Sequence, residues 1–266
     1  MIRKHTDGLE LMLFESCSDR VREMKEYGVG SVLVDWEDKG KACRQKGYDT
    51  EIAPATREEL YRVARFGGVD TWCRLNRYGT WTVREVEEAL EAGVRGLFLP
   101  MVTDAAEVEA FLKAIDGRCE AGILIETVEA AALSGVFARL PLERVYFGLN
   151  DFSISRRDRC LFQALYDGTV ERVRAELGEK ILFGFGGATA VESGAPVPAR
   201  YLLQEMARLK CSFTFLRRSF KRDLATRSPK AVVGGIQMYW RRLLERNDEE
   251  EAADYGRLMQ TLERIC

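Results

Sequence analysis

Acidic side chains collect where apolar runs end in this chain, and one arginine stands among them. LVDWEDKGK, 33–41, closes an apolar run on Asp35, Glu37 and Asp38. TWCRLN, 71–76, ends on Arg74 and Asn76, AGILIET, 121–127, on Glu126, and RVYFGLND, 144–151, on Asn150 and Asp151. Carboxylates gathered at one rim repel each other unless a cation neutralises them. The chain has a single histidine, His5, in a polar N-terminal segment, and no C-x-x-C pair. That argues against a His-dependent triad, an H-E-x-x-H zinc site and any multi-His metal site. The cation that suits the remaining donors is hard and oxygen-loving, Mg²⁺ or Mn²⁺, which needs only one or two protein carboxylates. Glu126 and Asp151, on consecutive runs, are the best metal pair. Either alone would read as a capping or salt-bridging acid; together, beside an arginine, they read as a site.

Such residues need a scaffold that brings strand ends together. Eight short runs, at 9–16, 31–37, 71–76, 96–102, 121–127, 144–151, 180–187 and 211–218, are almost continuously apolar, as parallel strands buried on both faces should be. Amphipathic segments lie between them. TREELYRVARFG, 56–67, and TVREVEEALEAG, 82–93, have helical spacing, the latter closing on a glycine. DAAEVEAFLKAIDG, 104–117, opens on Asp104 as an N-cap and closes on Gly117, and VPARYLLQEMARL, 197–209, is a further helix. This alternation over 266 residues predicts an α/β fold, a (β/α)₈ TIM barrel, with a doubly wound open sheet as the alternative. No linker divides the chain, so residues 1–266 are expected to form a single domain. C-terminal helices over about 228–266 are expected to break at ERNDEEE, 245–251, whose acids suit a solvated face or a helix N-terminus. Catalytic groups in a barrel sit at the C-terminal ends of its strands, where the polar residues above fall.

The ordered set D-W-E-D at 35–38, C-R-L-N at 73–76, F-L-P-M-V at 98–102, I-E-T at 125–127 and G-L-N-D at 148–151 resembles the HpcH/HpaI aldolase and citrate lyase β-subunit family, within the phosphoenolpyruvate/pyruvate barrel superfamily. The resemblance covers roughly residues 8–152. It implies that Glu126 and Asp151 hold Mg²⁺, that Arg74 binds the substrate's carboxylate and enolate oxygen, and that Glu37 and Asp38 order the metal's waters. Asp35, Asn76, Asn150 and Gly186, at neighbouring strand ends, are expected to contact the substrate. Asp38 stands where the HpaI branch has the histidine of D-G-E-H, closer to the D-L-E-D of citrate and malyl lyases. With no histidine to serve, Asp38 is the candidate general base. The coenzyme A-binding ending of that second branch is not recognisable in 180–226. The implied activity is a Mg²⁺-dependent carbon–carbon lyase or aldolase acting through a metal-bound enolate of a 2-oxo acid or related carboxylate. GLNDFSISRRDR, 148–159, also resembles the G-T-N-D-L-T-Q stretch of phosphoenolpyruvate-utilising enzymes. Phosphoryl or P–C transfer on the same barrel is therefore an alternative; a non-catalytic barrel acting as a binding partner is another.

The rest of the sequence mostly excludes. A net charge of −2 offers no field for nucleic acid. No apolar run approaches a membrane span, and MIRKHTDGLELMLFES lacks a signal-peptide core, so a cytoplasmic protein is expected. Seven scattered cysteines read as reduced thiols, mostly core filler. Lys39 and Lys41 raise a Schiff-base mechanism, which their solvated D-K-G-K-A setting disfavours. FGFGGAT, 183–189, reads as a tight turn giving substrate room or as a phosphate cradle, which the basic RRSFKRD, 217–223, would favour. Trp36 and Trp81 read as pocket walls or core cover. PKAVVGGIQMYWRRLLE, 229–245, carries more apolar side chains than one helix stripe needs, so a homo-oligomer that exchanges this helix is expected, as the superfamily resemblance implies.

Overall fold

Each apolar run forms a strand. The computed structural model describes residues 8–39, 54–216 and 218–266; His5, Lys41, Cys43 and Arg217 lie outside them. The strands are β1 Glu10–Phe14, β2 Ser31–Asp35, β3 Asp70–Arg74, β4 Gly96–Leu99, β5 Glu120–Ile125, β6 Arg144–Phe147, β7 Leu182–Phe185 and β8 Phe213–Leu216. They pair in parallel in the order β7-β6-β5-β4-β3-β2-β1-β8. The remaining seam is drawn shut by the amides of Ser212 and Ala188, which donate to the carbonyls of Phe183 and Phe215 at 2.8 Å. A Cβ on Gly184 would lie 2.3 Å from the Phe213 carbonyl oxygen, so only glycine lets β7 and β8 approach this closely. The (β/α)₈ barrel expected from the sequence is the fold.

Helices follow the strands: α1 Ser18–Glu26, α2 Arg57–Phe66, α3 Thr82–Ala92, α4 Ala105–Ile115, α5 Val128–Ala132, α6 Ser134–Phe137, α7 Leu149–Arg156, α8 Gln163–Tyr166, α9 Thr169–Leu177, α10 Ala199–Arg208, α11 Arg218–Asp223, α12 Pro229–Leu244 and α13 Asp248–Ile265. Thr56 and Glu59 form a capping box at α2. Asp104 caps α4 as expected, while its C-cap in left-handed conformation is Asp116, one residue before the expected Gly117. ERNDEEE spans the break between α12 and α13: Asn247 and Glu250 form a second capping box at the start of α13, and four acids fill its first turn.

The period of two along each strand sorts side chains between two cores. One lies between sheet and helices, and the other fills the barrel with Met12, Leu33, Trp72, Phe98, Leu124, Tyr146, Phe213 and Phe215. At the N-terminal mouth, Arg144 lies over the rings of Trp72 and Phe213 and pairs with Glu10 at 3.1 Å, plugging that end. Moving two residues towards the other mouth turns Leu33 into Asp35, Trp72 into Arg74 and Leu124 into Glu126. The parity that buries the aromatic layer therefore aims these polar groups inward above it.

One expectation needs correction. Cys160, between α7 and α8, is disulfide-bonded to Cys266 after α13, with Cα atoms 5.1 Å apart, so the cysteines are not all free thiols. The pairing depends on where the last helix folds back, which spacing along the chain does not reveal. The long apolar helix α12 also has a use within its own chain. Val232, Val233, Ile236, Trp240 and Leu243 are buried, and the Gln237 amide donates to the Leu9 carbonyl at 2.9 Å. Met238 and Leu244 remain 57% and 53% exposed. No helix among the described residues is long and apolar enough to cross a membrane.

Candidate active site

Asp35 and Arg74 are register partners on β2 and β3, which fixes their meeting at the C-terminal mouth. Arg74 donates through Nε to Asp35 Oδ1 at 2.9 Å and through Nη2 to Oδ2 at 2.7 Å, a bidentate fork. Its Nη1 lies 3.2 Å from Glu37 Oε2 and 3.9 Å from Glu126 Oε1, and its guanidinium stands over the Phe14 ring at 5.1 Å. Burial alone would loosen its proton. The charges of Asp35, Glu37 and Glu126 outweigh that and hold it well above its ordinary range. Asp35, expected to touch substrate, instead spends both oxygens on Arg74, and Oδ1 also accepts from the Glu37 amide at 3.0 Å. The fork that would have read a ligand is thus used to orient the arginine.

Glu126, just beyond β5, is only 4% exposed. Burial first, and then the neighbouring Asp151 and Glu37 carboxylates, push its carboxyl up to about 8, against the opposing pull of Arg74 and of the Met101 amide. That amide donates to Oε2 at 3.1 Å from a residue held at φ 53, a left-handed conformation uncommon outside glycine. Asp151 lies half-buried in the first turn of α7, where the helix dipole favours negative charge. The Asp151 carboxylate is thus near enough to raise the cost of ionising Glu126. Among the described residues no three acidic, histidine or cysteine side chains close around one point. Two neighbouring carboxylates are the donor type that Mg²⁺ or Mn²⁺ takes, usually one or two from the protein, so the chemistry of these residues fits the expected group.

Gly148 makes this geometry possible. A Cβ there would lie 2.7 Å from Glu126 Cγ and 2.9 Å from Oε1. Gly148→Ala is expected to push the carboxylate out of place and weaken Mn²⁺ binding at least about tenfold while the barrel melts within a few degrees of wild type. Calorimetric titration with Mn²⁺ checks this; unchanged affinity would show that Glu126 has slack.

The loop after β2 completes the site. Glu37 is 2% exposed, whereas Asp38, the candidate base, is exposed at the rim. Asn76 was expected at the substrate, but its amide is fully committed. Its oxygen accepts from the Asp38 and Lys39 amides at 3.0 and 2.8 Å, and its nitrogen donates to the Trp36 carbonyl at 3.1 Å and Glu85 Oε1 at 2.8 Å. The Lys39 ammonium lies 4.9 Å from the Trp81 ring centroid, a cation–π contact in place of a nucleophile's desolvated pocket. Trp36 belongs to the core outside the barrel. Asn150 stands half-buried beside Asp151 in the first turn of α7, and Gly186 follows β7 at φ 71.

In α11, Asp223 reaches the segment that follows the glycine turn. Asp223 accepts from the Ala190 amide at 3.1 Å and from the Thr189 and Ser193 hydroxyls. Sequence reasoning missed Phe14, Glu85, Gly148 and the Met101 amide. Phe14 was accessible from strand parity, two residues beyond Met12, and Gly148 from its place in G-L-N-D. Glu85 read as an ordinary polar helix residue, and a main-chain amide leaves no sequence signal.

No family model and no curated protein sequence matches the chain. Solved structures do. An HpcH/HpaI aldolase/citrate lyase family protein from Burkholderia cenocepacia superposes with a TM-score of 0.65 at 10% identity, over 84% of this chain and 93% of that one. Citrate synthase SbnG gives 0.60 at 16% identity over 84% and 93%. A 3-hexulose-6-phosphate synthase from Salmonella typhimurium gives 0.59 at 9% identity over 90% and 98%. At these identities the likeness concerns the fold.

Proposed function

We propose that the chain is a divalent-cation-dependent carbon–carbon lyase or aldolase of the HpcH/HpaI and citrate lyase kind, working through the enolate of a 2-oxo acid or related carboxylate. The observation that carries this reading is the convergence of Glu37 and Glu126 on one arginine held by Asp35, with the Asp151 carboxylate close enough to Glu126 to act on it. Several of the solved barrels it resembles in fold carry aldolase or citrate lyase names, which agrees with the reading. Glu126 and Asp151 would hold Mg²⁺ or Mn²⁺. When bound, the cation supplies Lewis-acid stabilisation of negative charge on the 2-oxo oxygen. Arg74, fixed by Asp35, would turn its remaining N–H groups to the substrate's carboxylate and developing oxyanion. In the cleavage direction Asp38, directly or through water, would take the proton of the hydroxyl on the carbon that leaves as aldehyde. The carbon–carbon bond breaks, its electron pair becomes the enolate, and a proton is then delivered to the enolate carbon next to the 2-oxo group to give the 2-oxo acid.

The test is enolisation. Pyruvate and a panel of other 2-oxo acids are incubated in D₂O with Mg²⁺, and proton NMR follows loss of the signal next to the carbonyl. Exchange that stops in EDTA is expected. No exchange with any member of the panel, while the protein binds Mn²⁺, would remove the reading.

A further inference from the structure

We infer that Asn76 and Glu85 are positioning residues that together clasp the β2 loop, setting Glu37 against Arg74 and fixing the main chain of Asp38 at the rim. The inference rests on the lyase reading for its functional half. Strand parity places Arg74 and Asn76 two residues apart along β3 and its extension, so both side chains face the same neighbouring segment. They divide that segment between them. Arg74 takes the side chains of Asp35 and Glu37, while Asn76 takes the main chain of Trp36, Asp38 and Lys39. Five consecutive residues are thus held by two.

Glu85, projecting from α3, keeps Asn76 in this pose. Its Oε1 accepts from Asn76 Nδ2 at 2.8 Å and its Oε2 from the Asn76 amide at 3.1 Å. With Asn76 Oδ1 accepting from two amides and Nδ2 donating twice, the side chain has no capacity left for substrate. Its contribution therefore passes through the loop. A carboxylate on the barrel side of a helix is also an unusual choice unless it has such a partner. Lys39, lying over Trp81, adds a third tie between the loop and the β3–α3 connection.

The test has two arms. Hydrogen–deuterium exchange reads the clasp: Asn76→Ala should speed exchange of the Asp38 and Lys39 amides at least about tenfold and leave β5 and β6 amides unchanged. Enolisation kinetics read positioning: Asn76→Ala should lose at least about tenfold in kcat, with Mn²⁺ affinity held near wild type because Glu126 and Asp151 are untouched. Glu85→Gln keeps the shape and one acceptor, so it should fall between wild type and Glu85→Ala in both arms. This isosteric variant also answers the objection that a truncated one misfolds. Unchanged exchange at Asp38 and Lys39 overturns the clasp, and freed amides with wild-type kcat overturn the positioning role. If wild-type protein enolises no 2-oxo acid, the lyase reading fails, and the exchange arm still decides the clasp.

Discussion

Arg74→Ala is expected to cost about 3–5 kcal/mol of folding stability, the largest effect of any single truncation at the site. Three acids, Asp35, Glu37 and Glu126, lie within ion-pair distance of this guanidinium, and the last two are almost wholly buried. Removing the arginine leaves the Asp35 and Glu37 charges without it in a poorly solvated mouth. Arg74→Lys keeps the charge but cannot reproduce the fork on Asp35 while also reaching Glu37. It should fold, and lose at least about tenfold in kcat/KM, or roughly 1.4 kcal/mol of transition-state stabilisation. Urea denaturation and enolisation rates measure the two effects. Pairing Arg74→Ala with Glu37→Gln should return part of the lost stability, since one stranded charge is gone. A purely additive double mutant would show that Arg74 and Glu37 are not coupled.

The second large effect is a pH slope. Folding holds a proton on Glu126 up to about pH 8, whereas an ordinary glutamate releases it near 4.5. Across that window the folded state binds more protons than the unfolded one, so the stability this carboxyl contributes is fully present below pH 4.5 and lost as pH rises towards 8. The loss is on the order of a few kcal/mol. In EDTA, thermal melts from pH 5 to 8 should show a decline that Glu126→Gln flattens. Under the proposed reading a divalent cation would act in the opposite sense, by binding the ionised pair, and at one hundred times its Kd would add about 2.7 kcal/mol. Parallel slopes for wild type and Glu126→Gln would show that Glu126 titrates in the ordinary range.

Asp35, Arg74 and Glu126 were legible in the sequence because their position is a local matter. Each stands two residues beyond an inward-facing apolar residue on a strand whose boundaries the apolar run already marks. What each does next depends on neighbours far along the chain. Asp35 looked as open to a ligand as Glu126; the β2–β3 register pairs it with Arg74. Asn76 sits in a short polar stretch, and its four bonds exist only because the β2 loop and α3 both come to it. Glu85 hides in a helix whose exposed face is rich in acids. The apolar excess of α12 pointed outward to a second subunit. Within the chain Val232, Val233, Ile236, Trp240 and Leu243 are buried, while Met238 and Leu244 stay exposed.

The bond between Cys160 and Cys266 changes what kind of object the second half of the barrel is. From α8 to α13 the backbone is a covalent ring, with α8, α9, β7, α10, β8, α11, α12 and α13 all inside it. A protease that cuts one peptide bond in this ring opens it without releasing a fragment, so the nicked molecule keeps its mass until a reductant is added. The ring begins nine residues after Asp151, outside the Arg74 and Glu126 half of the site. Damage to the closing half of the barrel can therefore be retained and repacked, while a cut before Cys160 separates the chain into two pieces that only packing holds together.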